Sequence, residues 1–440
     1  MRVSLRELAA GIGGSVVGDG GVVVDGASVD SRTLSAGQLF VAVVADRDGH
    51  DFVRAAAGSG AAAALVSQPL PDVTIPQVVV DDTERALLAA GRLARDRLPA
   101  PVVAITGSVG KTTSKDLAAS VLAQQYVTAA SERSFNNELG VPITLLGAPD
   151  GTTATVVEMG ARGLGHIRAL CEVTRPTIGV VTVVAAAHTE LFGSIDDIAT
   201  AKGELVEALG SSDTAVLNTD DRRVAAMSQR SSARVLRFGT GGDVRAEGIE
   251  LGADLYPRFR LVTPDGSVEV RLGVAGRHNV TNALAAASIG VAAGVGLDHI
   301  ATGLAHASIS PWRMEVRRLE SGATLLNDAY NANPTSMAAA LHALAELDAE
   351  RRIAVLGPMA ELGADAARAH AEVAALARTL DIEIMAMGTD AYGSPQFELD
   401  DGGVEAVADR LEAGDATLAV LVKASRMAGL ERVVERLLDP

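Results

Sequence analysis

Val102-Val103-Ala104-Ile105-Thr106 runs directly into Gly107-Ser108-Val109-Gly110-Lys111-Thr112-Thr113: an apolar stretch of strand length, a glycine-bearing loop, then a helical stretch. That order builds a phosphate cradle. The glycines let backbone N–H groups of the loop approach phosphate oxygens, Lys111 places a point charge at the β and γ phosphates, and the Thr112 hydroxyl can ligate Mg²⁺. The helix N-terminus adds its own partial positive charge. Spacing is shorter than in the generic loop, because Ile105 stands where a first glycine would be. ATP is therefore expected on Gly107, Ser108, Val109, Gly110, Lys111, Thr112 and Thr113.

Outward from this loop, apolar runs keep alternating with helical spacing. TATVVEM (153–159), GVVTVVA (179–185) and DTAVLN (213–218) predict a largely parallel sheet with helices on its faces. After about residue 308 the rhythm restarts with ATLLND (323–328), RRIAVLG (351–357), DIEIMAMG (381–388) and TLAVLVKA (417–424), separated by Ala-rich helices such as 364–380. A doubly wound, Rossmann-like domain is the economical reading. Before the loop, residues 28–32 and 39–43 read as strand, turn, strand, 84–97 has helical spacing, and Pro99 and Pro101 punctuate the chain. The expectation is an α/β protein of three domains: a small N-terminal one over 1–98, a central P-loop ATPase-like one over 99–308, and a C-terminal Rossmann-like one over 309–440.

Composition bounds the function. With 440 residues, two or three domains are the prior, and 48% hydrophobic against 21% charged residues is globular usage. A single cysteine, Cys171, leaves neither an internal disulfide nor a thiolate metal site. A net charge of −17 would repel nucleic acid and acidic membranes, so an anionic ligand must be held by a few local cations and amides. No apolar stretch is long enough to span a bilayer or has signal-peptide form. A soluble, cytoplasmic monomer with no membrane insertion and no nucleic-acid partner is expected.

Three further residues fall in order after the loop. Glu158 ends the buried run 153–159, His188 follows the run 179–185, and Lys202 lies in the helical AKGELVEAL (201–209). A histidine or lysine alone is more often structural or solvated than functional; the ordered set is what draws attention. In this order of loop, acidic strand end, histidine and lysine the chain resembles the Mur ligases. The resemblance extends to Asn136-Asn137-Glu138-Leu139-Gly140-Val141-Pro142, Gly276-Arg277-His278-Asn279-Val280-Thr281-Asn282-Ala283, Asp328-Ala329-Tyr330-Asn331-Ala332-Asn333-Pro334 and Leu356 to Gly363. Residues 30–53 look like the family's uridine-nucleotide-binding domain.

Residue by residue, the resemblance implies that Thr112 and Glu158 hold one Mg²⁺ and that His188 helps hold a second. It makes Lys202 a carbamylated lysine: a free lysine, with a pKa of about 10.4, is a cation that repels metal, whereas a carbamate is an oxygen anion suited to Mg²⁺. Asn279 and Asn282 would lie near adenine, Asp328 near the ribose or phosphates, and Arg313 would reach the γ-phosphate from the third domain. Lys111, His188, Lys202 and Arg313 form the implied catalytic set. Ser31, Arg32 and His50 are assigned to the uridine nucleotide by motif position, and Asn136 and Asn137 to substrate. Trp312-Arg313-Met314-Glu315 matches the family's Gly-Arg-Met-Glu, with Trp312 in the glycine's place. Val183 replaces an asparagine of the pattern, and Pro358 an aspartate.

The activity implied is ATP-dependent addition of D-alanyl-D-alanine to UDP-N-acetylmuramoyl-tripeptide through an acyl phosphate. Two other readings compete. One is another ligase of the superfamily, adding the third peptide residue or extending folate with glutamate; the run from Asp328 to Pro334 argues against both. The other is a P-loop regulatory protein that binds ATP without joining anything, and the presence of Glu158 and Lys202 disfavours it.

Overall fold

The computed structural model describes residues 1–132, 135–185, 192–393, 396–412 and 416–438. Val102–Thr106 forms a strand with every residue buried, in the middle of a six-stranded sheet ordered Arg234–Phe238, Thr214–Asn218, Ile178–Val181, Val102–Thr106, Ala154–Glu158, Thr128–Ala130. All its pairings are parallel, which is why its strands read as unbroken apolar runs. The chain leaves Val102–Thr106 for the edge strand Thr128–Ala130, returns through Ala154–Glu158, and then crosses to Ile178–Val181 on the other side. The crevice at the carboxyl end of Val102–Thr106 is therefore a topological switch point, where such sheets bind ligands.

The strand expected over 179–185 stops at Val181. Beyond it the backbone pairs with the phosphate loop instead: Ser108 N–H donates to Val183 O at 2.6 Å, and Ala185 N–H donates to Ser108 Oγ at 3.0 Å. The loop's helix, Lys111–Leu122, is covered by Asn279–Ala292 and Leu297–Ala305. Small residues permit the approach; a Cβ on Gly303 would stand 2.5 Å from Val121 Cα. A three-stranded antiparallel sheet, Arg245–Leu251, Pro257–Thr263 and Gly266–Arg271, was no part of the largely parallel expectation. Its sequence signal is the alternation of 257–263, with Phe259 and Leu261 buried and Arg258 and Arg260 exposed, turned at Pro264-Asp265-Gly266.

In the N-terminal domain, a five-stranded sheet is ordered Ser15–Val17, Gln77–Val79, Ala63–Val66, Leu39–Val41, Ala27–Ser28. The expected strand, turn, strand is a parallel pair joined by a crossover loop, Ala27–Ser28 beside Leu39–Val41, and not a hairpin. Helix Thr83–Arg95 lies against helix Gly140–Leu146, where a Cβ on Gly91 would meet Pro142 Cβ at 2.6 Å. One apolar cluster, including Leu87, Ala90, Val141 and Val173, thus runs across the punctuation near residue 99. The C-terminal sheet is ordered Glu315–Arg318, Thr324–Asn327, Leu418–Lys423, Arg351–Leu356, Glu383–Met387, Gln396–Phe397, antiparallel only at its first pairing. Among the described residues no helix is long and apolar enough to cross a membrane.

Candidate active site

The phosphate loop opens into a cleft of about 680 Å³ whose walls come from the second and third domains. Gly107 (φ 153°) and Gly110 (φ 83°) take backbone conformations that favour glycine, and neither has room for a side chain. A Cβ on Gly107 would lie 1.9 Å from Thr182 Oγ1, and one on Gly110 2.2 Å from Asn282 Oδ1. Thr182 locks the loop further by donating to Val109 O at 2.7 Å. Lys111 Nζ donates to Gly107 O at 2.8 Å, folding the ammonium back over the loop. Burial pushes its pKa down, Arg313 acts in the same direction, and the Glu158 carboxylate opposes both.

Glu158, 1% exposed at the end of its strand, accepts hydrogen bonds on both oxygens. Thr112 Oγ1 donates to Oε2 at 2.7 Å and Asn136 Nδ2 donates to Oε1 at 2.8 Å. A hydroxyl and a carboxylate side by side, both lining the cleft, are the hard-oxygen donors that Mg²⁺ takes while keeping waters and phosphate oxygens as its other ligands. No group of three or more His, Cys, Asp or Glu among the described residues could hold a metal.

Lys202 is 4% exposed on helix Ile195–Glu207 and makes no hydrogen bond or ion pair among the described residues. Burial drives its pKa well below the usual lysine value, and the charge of Lys111 adds to this. His188 lies outside the described residues.

The third domain contributes the opposite wall. Arg313 Nη2 donates to Thr112 Oγ1 at 3.0 Å, and its guanidinium lies over the Tyr330 ring, 4.0 Å from the centroid. Arg313 Nε is buried with no hydrogen-bond partner among the described residues. Asp328 pairs with Lys423, whose Nζ also donates to Asn331 O at 2.8 Å, and Asp328 Oδ1 accepts from Met314 N–H at 3.2 Å. On the central side, Asn282 Nδ2 donates to Asn279 Oδ1 at 2.7 Å, and Asn279 Nδ2 donates to Ala275 O at 2.7 Å. Asn279, Asn282, Arg313 and Asp328 therefore converge with Ser108, Val109, Gly110, Lys111, Thr112, Thr113, Asn136 and Glu158 on one cleft.

Other expected residues are elsewhere. Asn137 Oδ1 accepts from the N–H of Gly140, where the next helix begins, at 2.9 Å. Arg32 is exposed and forms a two-point pair with Asp30, whose carboxyl it holds down at a pKa of about 2. Neither Ser31 nor Arg32 lines the cleft. His50, assigned above to a nucleotide contact, has a structural part: Nδ1–H donates to Asp48 Oδ1 at 2.6 Å and Nε2 accepts from Ser67 N–H at 2.9 Å. Both ring nitrogens have protein partners, so a ring-nitrogen contact to the nucleotide would require one of these bonds to open. Sequence reasoning missed His278, Tyr330 and Lys423, all on the cleft. Burial pushes the His278 pKa down, with Asp328 opposing and Lys423 reinforcing. Lys423 had a signal, since it ends the apolar run 417–424 as Glu158 ends its own. Val183 meets the loop through its backbone, so the asparagine it replaces is not needed for that contact.

Family comparisons agree with this geometry. The family model for the Mur ligase middle domain matches residues 105–290, and that for the Mur ligase glutamate ligase domain matches 312–434. A Mycobacterium tuberculosis UDP-N-acetylmuramoyl-tripeptide–D-alanyl-D-alanine ligase is 41% identical over 464 residues, covering 93% of this chain and 91% of its own. A crystal structure of MurF from Acinetobacter baumannii superposes with a TM-score of 0.89 at 30% identity, covering 100% of this chain and 99% of that one. The MurF of Thermotoga maritima in complex with ADP gives 0.82 at 26% identity, covering 94% and 97%.

Proposed function

The chain belongs to the Mur ligase family, and on that premise we propose that it joins D-alanyl-D-alanine to UDP-N-acetylmuramoyl-tripeptide, converting ATP to ADP and phosphate. The observation that carries the chemistry is the hydrogen bond from Arg313 of the third domain to Thr112 of the phosphate loop: the nucleotide site is complete only where two domains meet.

The terminal carboxylate of the tripeptide attacks the γ-phosphorus of ATP, the bond to the β–γ bridging oxygen breaks, and ADP leaves an acyl phosphate. The amine of D-alanyl-D-alanine then attacks the acyl carbon, loses a proton, and inorganic phosphate departs. Bringing two anions together is the main electrostatic obstacle. Lys111 and Arg313 meet it from opposite walls with charges already in place, so no reorganisation is needed as the reaction proceeds. Mg²⁺ held by Thr112 and Glu158, with a second ion held by His188 and a carbamate on Lys202, would supply further charge neutralisation. Asn136 keeps the Glu158 carboxylate oriented. An α-amino group has a pKa of about 7.7 to 8.0, so roughly a tenth to a fifth is neutral at pH 7 and a dedicated general base is not demanded.

Lys202 suits carbamylation because burial, with the charge of Lys111 added, drives its pKa well below the usual lysine value and so favours the neutral, nucleophilic amine. Its nitrogen can add to CO₂, losing a proton to give the carbamate. Asn279 and Asn282 are assigned to adenine, Asp328 to the ribose or phosphates, and Ser31 and Arg32 to the uridine nucleotide. The domains divide near residues 98 and 308, and the protein works as a cytoplasmic monomer. The test is ADP release with each substrate withheld in turn. Release beyond one equivalent per enzyme should need both the tripeptide and the dipeptide; such release at the same rate with single D-alanine in place of the dipeptide would overturn the assignment.

A further inference from the structure

The helix of the phosphate loop carries two charged side chains that the chemistry above does not use. Lys115 and Asp116 are 3% and 9% exposed in their side chains and pair at 2.7 Å. Lys115 Nζ also donates to Ser131 O at 2.6 Å, anchoring the pair to the central sheet, since Ser131 Oγ accepts from Glu158 N–H. The second oxygen of Asp116 accepts from Ser310 N–H at 2.8 Å. Ser310 belongs to the segment that leads into the third domain, three positions before Arg313.

Helix geometry gives this contact its meaning. Thr112 and Asp116 are four residues apart and share one face of Lys111–Leu122. The linker lies along that face, with Ser310 at Asp116 and Arg313 one turn away at Thr112. The far end of the same segment is tied to the third domain: Trp312 N–H donates to Glu315 Oε1 at 3.0 Å and Met314 N–H to Asp328 Oδ1 at 3.2 Å. We propose that Asp116 is a positioning residue for Arg313: its carboxylate, fixed by Lys115, pins the linker at Ser310 and so sets where the guanidinium meets the γ-phosphate. This rests on the reading of Arg313 as a phosphate contact.

The test is a double-mutant cycle on kcat and on KM for ATP. Asp116→Ala should lower kcat about 10- to 100-fold, the cost of misplacing a group that must meet the reacting atoms, with KM for ATP changed by less than about threefold. In an Arg313→Ala background it should cost nothing further, within about twofold. A kcat unchanged in Asp116→Ala, or losses that multiply in the double variant, would overturn the proposal, because damage unrelated to Arg313 adds independently. If Asp116→Ala does not fold, Ser310→Pro removes the donor from the other side and enters the same cycle with the same expectations. Turnover of the parent protein reports on the ligase reading, and only the variant-to-parent ratios report on Asp116.

Discussion

Arg313 stands between two residues with left-handed backbone, Trp312 at φ 62° and Met314 at φ 51°. Such conformations cost roughly 1–2 kcal/mol each for a residue with a Cβ, and the bonds to Glu315 and Asp328 hold the segment in them. The backbone also explains the resemblance at this point: Trp312 occupies a position whose geometry suits the glycine of the related motif. Its indole instead packs under the Arg426 guanidinium, 4.5 Å from the ring centroid. Removing the guanidinium by Arg313→Ala should lower kcat about a hundredfold to a thousandfold, as losing a preorganised charge donor does, and steady-state kinetics at saturating ATP checks it. Lys202 makes a second prediction at this scale. Its pKa lies well below the usual lysine value, so the amine stays neutral down to lower pH, and it protonates, losing the ability to hold CO₂, as pH falls through that depressed pKa. Activity should therefore fall on acidification and recover with added bicarbonate. Isotope-labelled bicarbonate should give a carbamate carbon signal by NMR that is absent in Lys202→Met; an identical signal in that variant would refute the assignment.

The loop works because the element before it is a fully buried strand and the element after it is a helix that two neighbours clamp. Both were legible at 102–113, where periodicity changes from strand to helix across two glycines. Continuous apolar runs likewise revealed the parallel strands, since burial on both faces leaves nothing polar to keep. The run at 179–185 misled by its composition: Thr182, Val183 and Ala185 are apolar or neutral enough for a strand, yet the backbone groups of Val183 and Ala185 are bonded to Ser108 and the Thr182 hydroxyl donates to Val109 O. The antiparallel sheet over 245–271 escaped notice because its arginine-alternating pattern is weaker than the parallel rhythm around it. Gly110 offers a test of the loop as an element. Ala there would place a methyl against Asn282 in a left-handed conformation, so Gly110→Ala should destabilise the protein by about 1–3 kcal/mol and raise KM for ATP. Denaturant unfolding and kinetics check the two effects separately, and an unchanged KM would contradict the account of the loop.

The second and third domains converge on a cleft that neither encloses alone. The ordered signature of loop, Glu158, His188 and Lys202 was visible along the chain, and Arg313 entered only through the resemblance; what places the parts together is the packing of separate sheets, which no local pattern encodes. For that reason the place of His278, Tyr330 and Lys423 on one cleft emerged only in three dimensions, and the ring nitrogens of His50, conspicuous in its motif, are bonded to Asp48 and Ser67. The strong negative charge of the molecule leaves anion binding to the few cations gathered here. The central claim is that these parts make one particular amide bond. Mass spectrometry of a reaction containing the protein, ATP, Mg²⁺, UDP-N-acetylmuramoyl-tripeptide and D-alanyl-D-alanine tests it most directly. The account predicts the UDP-linked pentapeptide with an equal amount of ADP; ATP binding with no ligated product, or a product formed only with a different amino-acid donor, would contradict it.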